Sequence, residues 1–155
     1  MNATDIKYLK FAKNVALYSH DPSTKVGCVI VDKNLDHMLC HGSNNMPLGI
    51  KDSSRYLYER ETKYASIIHA EENAILNSGS VHNLRGAVAY VTHQPCAHCA
   101  SLLIQVGIRR VVSCILGRAI YERNVLSFNL AKTLFKDAGV ELVEVPNGVV
   151  SGYED

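Results

Sequence analysis

The sequence predicts a three-layer α/β/α domain in which helices cover both faces of a mixed sheet of about five strands. Three observations carry this expectation. "VGCVIV" (26–31) is a short apolar, β-branched run of the kind a fully buried strand shows. "GAVAYV" (86–91), "IRRVVSCI" (108–115) and "VELVEV" (140–145) repeat that character further along. Helical patterns lie between these last three runs, and a strand, helix, strand, helix, strand series requires right-handed crossovers and parallel neighbours.

The elements follow in order. Ile6, Leu9, Ala12, Val15 and Ala16 recur at helical spacing with lysines between them, which predicts an amphipathic helix over 5–19. "HDPST" (20–24) is turn chemistry ahead of the first strand. "HMLCH" (37–41) reads as a second strand, paired with the first as a hairpin across the "DKNLD" turn. Residues 42–55, rich in Gly, Pro, Asn and Ser, form no regular element, and so long a loop inside a compact domain is usually functional or unstructured. Helical character returns from Tyr56, and "HAEENAILNSG" (69–79) is expected to end at Gly79. Helices over roughly 97–106 and 125–138 should close at Gly107 and Gly139.

A chain of 155 residues suits one domain spanning 1–155. Its 16 Lys and Arg against 15 Asp and Glu, scattered without a run of one sign, leave no electrostatic footprint for a long polyanion, so a polynucleotide is not the expected partner. No stretch reaches transmembrane length, and no membrane partner is expected. Lys7, Lys10 and Lys13 break the N-terminal segment that a signal peptide would keep apolar. With an odd number of cysteines, five, reduced thiols and a cytoplasmic location follow as expectations.

Two short stretches carry the chemistry. Cys96 and Cys99 are spaced so that two thiolates, on a loop entering a helix, can grip one ion, and the helix start lowers their pKa. His69, at the start of another helix, supplies a third ligand if the two helix starts meet at the carboxyl ends of adjacent strands. A catalytic zinc keeps its fourth position for water. Glu71 then sits near the ion without ligating it, placed to take a proton from that water and pass it to substrate and leaving group. His-x-Glu followed by Pro-Cys-x-x-Cys is the signature of zinc nucleobase deaminases, and His69, Glu71, Pro95, Cys96 and Cys99 match it in order. Two alternatives stand beside it: a structural zinc closed by His93 or His98, and a redox Cys-x-x-Cys for which His69 and Glu71 would be coincidental. Cys28, Cys40 and Cys114 fall in strand runs and read as core. His20, His37, His41 and His82 read as turn or surface residues, and Glu72 as a solvent-facing neighbour of Glu71.

The chain resembles the deoxycytidylate (dCMP) deaminases of the zinc-dependent cytidine deaminase superfamily. The resemblance covers most of its length: "DPSTKVGCVIV" (21–31), "GSNNMPLG" (42–49), "ERETKYASIIHAEENAI" (59–75), "AYVTHQPCAHCASLLIQVGIRRVV" (89–112) and "LAKTLFKDAGVELV" (130–143). Lys63, Tyr64, Asn73 and Ile75 are what make it similar to this subgroup. The loop departs from the family's pattern at Ser43 and Asn45, which flank Asn44, and at Leu48.

The resemblance implies a cytidine-deaminase-like fold with strand order 2-1-3-4-5 and the last strands parallel. It implies one Zn²⁺ per chain, a small-molecule cytosine nucleotide as ligand, and a homo-oligomer, hexamer or dimer. Asn44 would contact the sugar 3′-hydroxyl, the Ala70 N–H the pyrimidine O2, and a carbonyl within 92–94 the departing amino group. Tyr121 would lie near base and phosphate. Lys25 is a candidate phosphate partner and Lys63 a further substrate contact, with an ordinary solvated lysine as the alternative for both. The implied reaction is dCMP to dUMP plus ammonia, supplying dUMP for dTMP synthesis. The alternatives are the same chemistry on another cytosine (nucleoside, dCTP, 5-substituted dCMP or single strand) and a non-catalytic zinc-bound nucleotide-sensing module.

Overall fold

The computed structural model describes residues 1–151, so the last four residues of the expected domain range lie outside the described residues. The chain opens with helix α1 (Ala3–Ala16), shifted two residues upstream of the predicted start. A reciprocal cap sets it there: the Asn2 side chain accepts from the Asp5 N–H at 2.9 Å, and the Asp5 carboxylate accepts from the Asn2 N–H at 3.0 Å. Strands β1 (Gly27–Val31) and β2 (Met38–Ser43) form the expected antiparallel hairpin, β2 running two residues past its predicted end. The long loop after it carries two short helices, α2 (Ser54–Tyr58) and α3 (Arg60–Ser66), before α4 (Ala70–Leu76). The C-cap of α4 is Asn77 rather than the expected Gly79, which takes φ +73° in the turn beyond.

Strand β3 (Val88–Val91), α5 (Ala97–Gln105), β4 (Arg110–Ile115), α6 (Arg118–Arg123), α7 (Val125–Asp137), β5 (Glu141–Pro146) and α8 (Asn147–Ser151) complete the chain. α5 and α7 end as predicted, with Gly107 at φ +87° and Gly139 at φ +73°, the left-handed geometry that a helix stop asks of a residue without Cβ. α6 and α8 were not legible as elements. No helix among the described residues is long and apolar enough to cross a membrane.

The five strands lie in the order β2-β1-β3-β4-β5, antiparallel across β1 and parallel from β3 to β5. Alternate side chains point to opposite faces, so each face builds its own core. Leu9, Ala12 and Val15 of α1 meet Val29, Val31, Val88, Tyr90 and Val112 on one side. Ala70 and Ala74 of α4, Leu103 of α5 and Phe135 of α7 meet Cys28, Ile30, Ala89 and Val111 on the other. Burial of a large side chain such as Leu9, Ile30 or Phe135 stabilises the fold by about 1.5–3 kcal/mol each. Cys28, Cys40 and Cys114 are buried within these cores, as read from their strand runs.

One topological expectation is corrected. The two helix starts do not follow adjacent strands, because β1 lies between β2 and β3. β1 runs against both neighbours, pairing Gly27 with Ser43 and Cys28 with Val91, so the last residues of β2 and β3 stand level with the first of β1. That end of the sheet gathers the loops 19–26, 44–53, 92–96 and 116–117.

Candidate active site

His69 and Cys96 are the residues immediately before α4 and α5, and Cys99 lies in the first turn of α5. Both helices start at the same end of the sheet, on the same face, which brings the three side chains together. His69 Nδ1 lies 3.3 Å from Cys99 Sγ and 3.6 Å from Cys96 Sγ, and all three ligand atoms fall within 4.8 Å of one another. A tetrahedral zinc with a nitrogen and a sulfur ligand sets those atoms about 3.6 Å apart. The donor set therefore fits Zn²⁺ with little rearrangement. Neither His93 nor His98 joins the group, and His98 is exposed. Among the described residues the set thus stays open, the form of a catalytic rather than a structural zinc.

The electrostatics favour metal uptake. The Cys96 thiol is pulled down to about 4, chiefly by hydrogen bonding from Cys99 and then from His69. Hydrogen bonding to Cys96 lifts His69 to about 9, with the Glu71 carboxylate adding to it. A thiol held low in this way is readily available as the thiolate that a metal ion binds. The backbone N–H of Cys99 also points at the Cys96 sulfur, at 3.5 Å.

Glu71 is only 4% exposed and is not one of the ligand group. Burial pushes its carboxyl up to about 7, against the opposing pull of its own backbone N–H and of His69. A group so poised can hold or release a proton near neutral pH. It lines a cleft of about 360 Å³ shared with His69, Ala70, Asn44, Lys63 and Arg123. That volume suits one small molecule.

The sequence pattern described as "Cytidine and deoxycytidylate deaminase zinc-binding region" matches residues 2–115. The chain belongs to that deaminase family. It is 37% identical over 140 residues to an uncharacterized deaminase in the luxG 3′ region of Aliivibrio fischeri, covering 90% of this chain and 92% of that one. It is 37% identical over 127 residues to the deoxycytidylate deaminase of Mus musculus, covering 79% of this chain and 68% of the mouse protein. The fold matches that of the dCMP deaminase from cyanophage S-TIM5, solved in complex with dCMP and dUMP, at a TM-score of 0.74 and 23% identity, over 94% of this chain and 99% of the other. Within the family, the relatives place the chain among the dCMP deaminases, and zinc is its metal.

The substrate contacts that the deaminase resemblance implied divide into two groups. Asn44 and Ala70 line the cleft. The Asn44 side-chain oxygen Oδ1 accepts from the Val26 N–H at 2.7 Å and Nδ2 donates to Thr24 O at 2.8 Å, so one N–H of the side chain is left to face a ligand. Lys63 also lines the cleft, but its ammonium is committed to Asp21 at 3.2 Å and to the Ser23 hydroxyl at 2.8 Å. It is buried rather than solvated, and it stands in the cleft wall held by Asp21 and Ser23.

Two others are not brought to the cleft. Lys25 is exposed and donates to Ser19 O at 2.7 Å, anchoring the turn before β1. Tyr121 donates to Asn129 Oδ1 at 2.7 Å and stacks on Phe128, facing a second, shallower cavity with Arg118, Lys132 and Glu144. In both, a nearby acceptor holds the polar end away from the cleft: the main-chain oxygen of Ser19 for Lys25 and the side-chain oxygen of Asn129 for Tyr121. Glu72, expected to face solvent, is half-buried.

Sequence reasoning missed Asp21 and Arg123, and reached Gln94 only through a main-chain carbonyl within 92–94; all three line the cleft. Arg123 is exposed and makes no hydrogen bond or ion pair among the described residues, leaving a free cation at the cleft's rim. Gln94 is 6% exposed and donates to Glu144, which Lys132 approaches at 3.0 Å. Only the family motif around Pro95 pointed to this neighbourhood. Nothing local marks Arg123, on a six-residue helix without a buried side chain.

Proposed function

We propose that the chain catalyses hydrolytic deamination of a cytosine deoxynucleotide, dCMP plus water giving dUMP plus ammonia. The observation that carries this reading is Glu71, a buried, non-ligating carboxyl beside the open His69, Cys96, Cys99 set and facing a cleft of one-nucleotide size. Bound through those three side chains, zinc supplies the Lewis acidity that makes water a competent nucleophile near neutral pH.

The chain's own residues do the rest. Ala70 and Asn44 hold the pyrimidine and sugar so that C4 faces the water, and the backbone at 92–94 accepts from the exocyclic amine. Glu71 takes a proton from the attacking water and delivers it to N3 of the ring as the new C4–O bond forms. It then carries the second proton to the amine as the C4–N bond breaks, and ammonia leaves. Burial raises the Glu71 carboxyl above its ordinary value, which suits a group that both takes and returns a proton. Arg123, the cation at the rim without a carboxylate, is placed to meet a 5′-phosphate.

The substrate assignment is supported by the names of the relatives, deoxycytidylate deaminases in mouse and cyanophage. We further assign one domain, a homo-oligomer and a cytoplasmic setting. Leu126 and Leu130, one turn apart on α7 and 84% and 51% exposed, support association, and five cysteines outside any disulfide support a reducing compartment. The test is ammonia release by zinc-loaded protein offered cytidine, CMP, dCMP, dCTP, 5-methyl-dCMP and single-stranded DNA in parallel. Release from dCMP above the others is expected; release only from another compound moves the substrate, and silence on all of them overturns the enzymatic reading.

A further inference from the structure

The His69–Glu71 turn hangs on the free edge of the sheet. β2 is the terminal strand, so its outward carbonyls at His41 and Ser43 have no neighbouring strand to bond. α4 supplies the donors: Asn73 Nδ2 reaches Ser43 O at 2.7 Å and Asn77 Nδ2 reaches His41 O at 2.9 Å. Two periods coincide here. Carbonyls two residues apart on a strand are separated by about 6.8 Å, and positions four apart on a helix by about 6 Å, so asparagines at that helical spacing match the strand edge.

The same edge holds the chain upstream of the site. Asn45 and Ile68 exchange both backbone hydrogen bonds, at 3.1 and 2.9 Å. His69, Ala70 and Glu71 are therefore suspended between an anchor at Ile68 and an anchor at Asn73. Gly42 lets the helix lie directly on the strand, since a Cβ there would fall 2.3 Å from Ala74 N and 2.6 Å from Ala70 O. A seven-residue helix does not hold its own geometry in water, and its first turn takes its place from these contacts.

We propose that Asn73 is a positioning residue: its bond to Ser43 O fixes the first turn of α4 and so the aim of His69 and Glu71, whereas Asn77 stabilises the helix without setting the site. The inference rests on the active-site reading above, because it assigns to those two side chains a geometry worth keeping. A displacement of about 1 Å in such a group costs on the order of a hundredfold in rate. Asn73 was legible in the sequence only as a mark of the subfamily; the bond to the strand edge gives it a physical task.

The test compares Asn73→Ala, Asn73→Asp and Asn77→Ala, each loaded with Co²⁺ in place of Zn²⁺ for visible absorption and with Zn²⁺ for kinetics on dCMP. Asn73→Asp keeps the side chain's shape while removing its N–H, and guards against a variant that simply fails to fold. Both Asn73 variants should keep one metal per chain, shift the thiolate–cobalt band and lose about tenfold to a hundredfold in kcat with KM little changed. Asn77→Ala should lose comparable stability yet keep band and kcat. An unshifted band in both Asn73 variants, or an equal effect from Asn77→Ala, overturns the proposal. If the wild type releases no ammonia from dCMP, the functional reading fails, and the cobalt comparison still decides the role of Asn73.

Discussion

Lys63 Nζ in α3 lies 3.2 Å from Asp21 Oδ2 in the turn before β1, and both side chains are shut away from solvent. Lys63 is the one buried residue of α3, and α2 has none. The helical segment 54–66, which supplies Lys63 and Tyr64 to the cleft wall, is thus fastened to the body through this pair.

Lys63→Met should therefore act on binding more than on chemistry. It leaves Asp21 a buried charge without its cation, a loss of about 3 kcal/mol in unfolding free energy. It should also raise KM for the nucleotide more than it lowers kcat. Adding Asp21→Asn to Lys63→Met should return part of the stability, as denaturant midpoints of the two chains would show.

The Asp5 and Asp21 carboxyls predict the acid behaviour. Burial alone would raise both, but the Arg110 guanidinium and the Asn2 N–H hold Asp5 below its ordinary value, and the Thr24 and Ser23 N–H groups with Lys63 do the same for Asp21. A folded pKa below the unfolded one contributes stability that is complete above the unfolded value and is lost as pH falls through the folded one. Unfolding free energy should be insensitive to these groups above about pH 5 and fall below about pH 4. Arg110 binds Asp5 through two nitrogens, at 2.6 and 3.0 Å, so Arg110→Met should flatten the Asp5 share of that fall while lowering stability at neutral pH. Urea melts at neutral pH and at about pH 3 measure both effects.

Arg123→Ala should separate phosphate recognition from catalysis. Losing a charge-assisted contact should raise KM for dCMP by about tenfold or more, and leave the slower reaction of deoxycytidine unchanged. Equal losses on both compounds would remove Arg123 from the phosphate site.

Cys96→Ala should lose metal and turnover together, because two of three ligands do not hold zinc for catalysis. Metal analysis of the purified variant beside its ammonia release checks this. Chelator-treated wild type should likewise melt at a lower temperature and recover on adding Zn²⁺.

How much of this was legible follows from where the forces are local. The strand runs at 26–31 and 86–91 declare their burial on both faces, the runs at 108–115 and 140–145 declare strands by their β-branched residues although the edge strand β5 is only partly buried, and Gly107 and Gly139 declare where helices stop, so the layers and the strand series could be read directly. The metal site was legible for the same reason: Cys96 and Cys99 share one turn, and His69 and Glu71 share another. What failed depends on contacts far apart in sequence. Lys63 meets Asp21 from 42 residues away. Arg110 meets Asp5 from 105 residues away. Neither pairing leaves a mark near either residue. Lys25 and Tyr121 were drawn toward the ligand by family position, but their polar ends are taken by Ser19 and Asn129. Helix α6 was missed because "RAIYER" buries no side chain and so shows no apolar face.

The central claim is that Glu71 moves protons at a zinc held by His69, Cys96 and Cys99. Glu71→Gln keeps the shape and the neighbours of that side chain and removes its capacity to take a proton. The deciding measurement is dUMP formation from dCMP by wild type and Glu71→Gln, with zinc counted in both. One zinc in each chain and a rate lower by about a hundredfold to ten-thousandfold in the variant is the predicted result. Turnover by Glu71→Gln close to that of the wild type, with zinc in place, would contradict it.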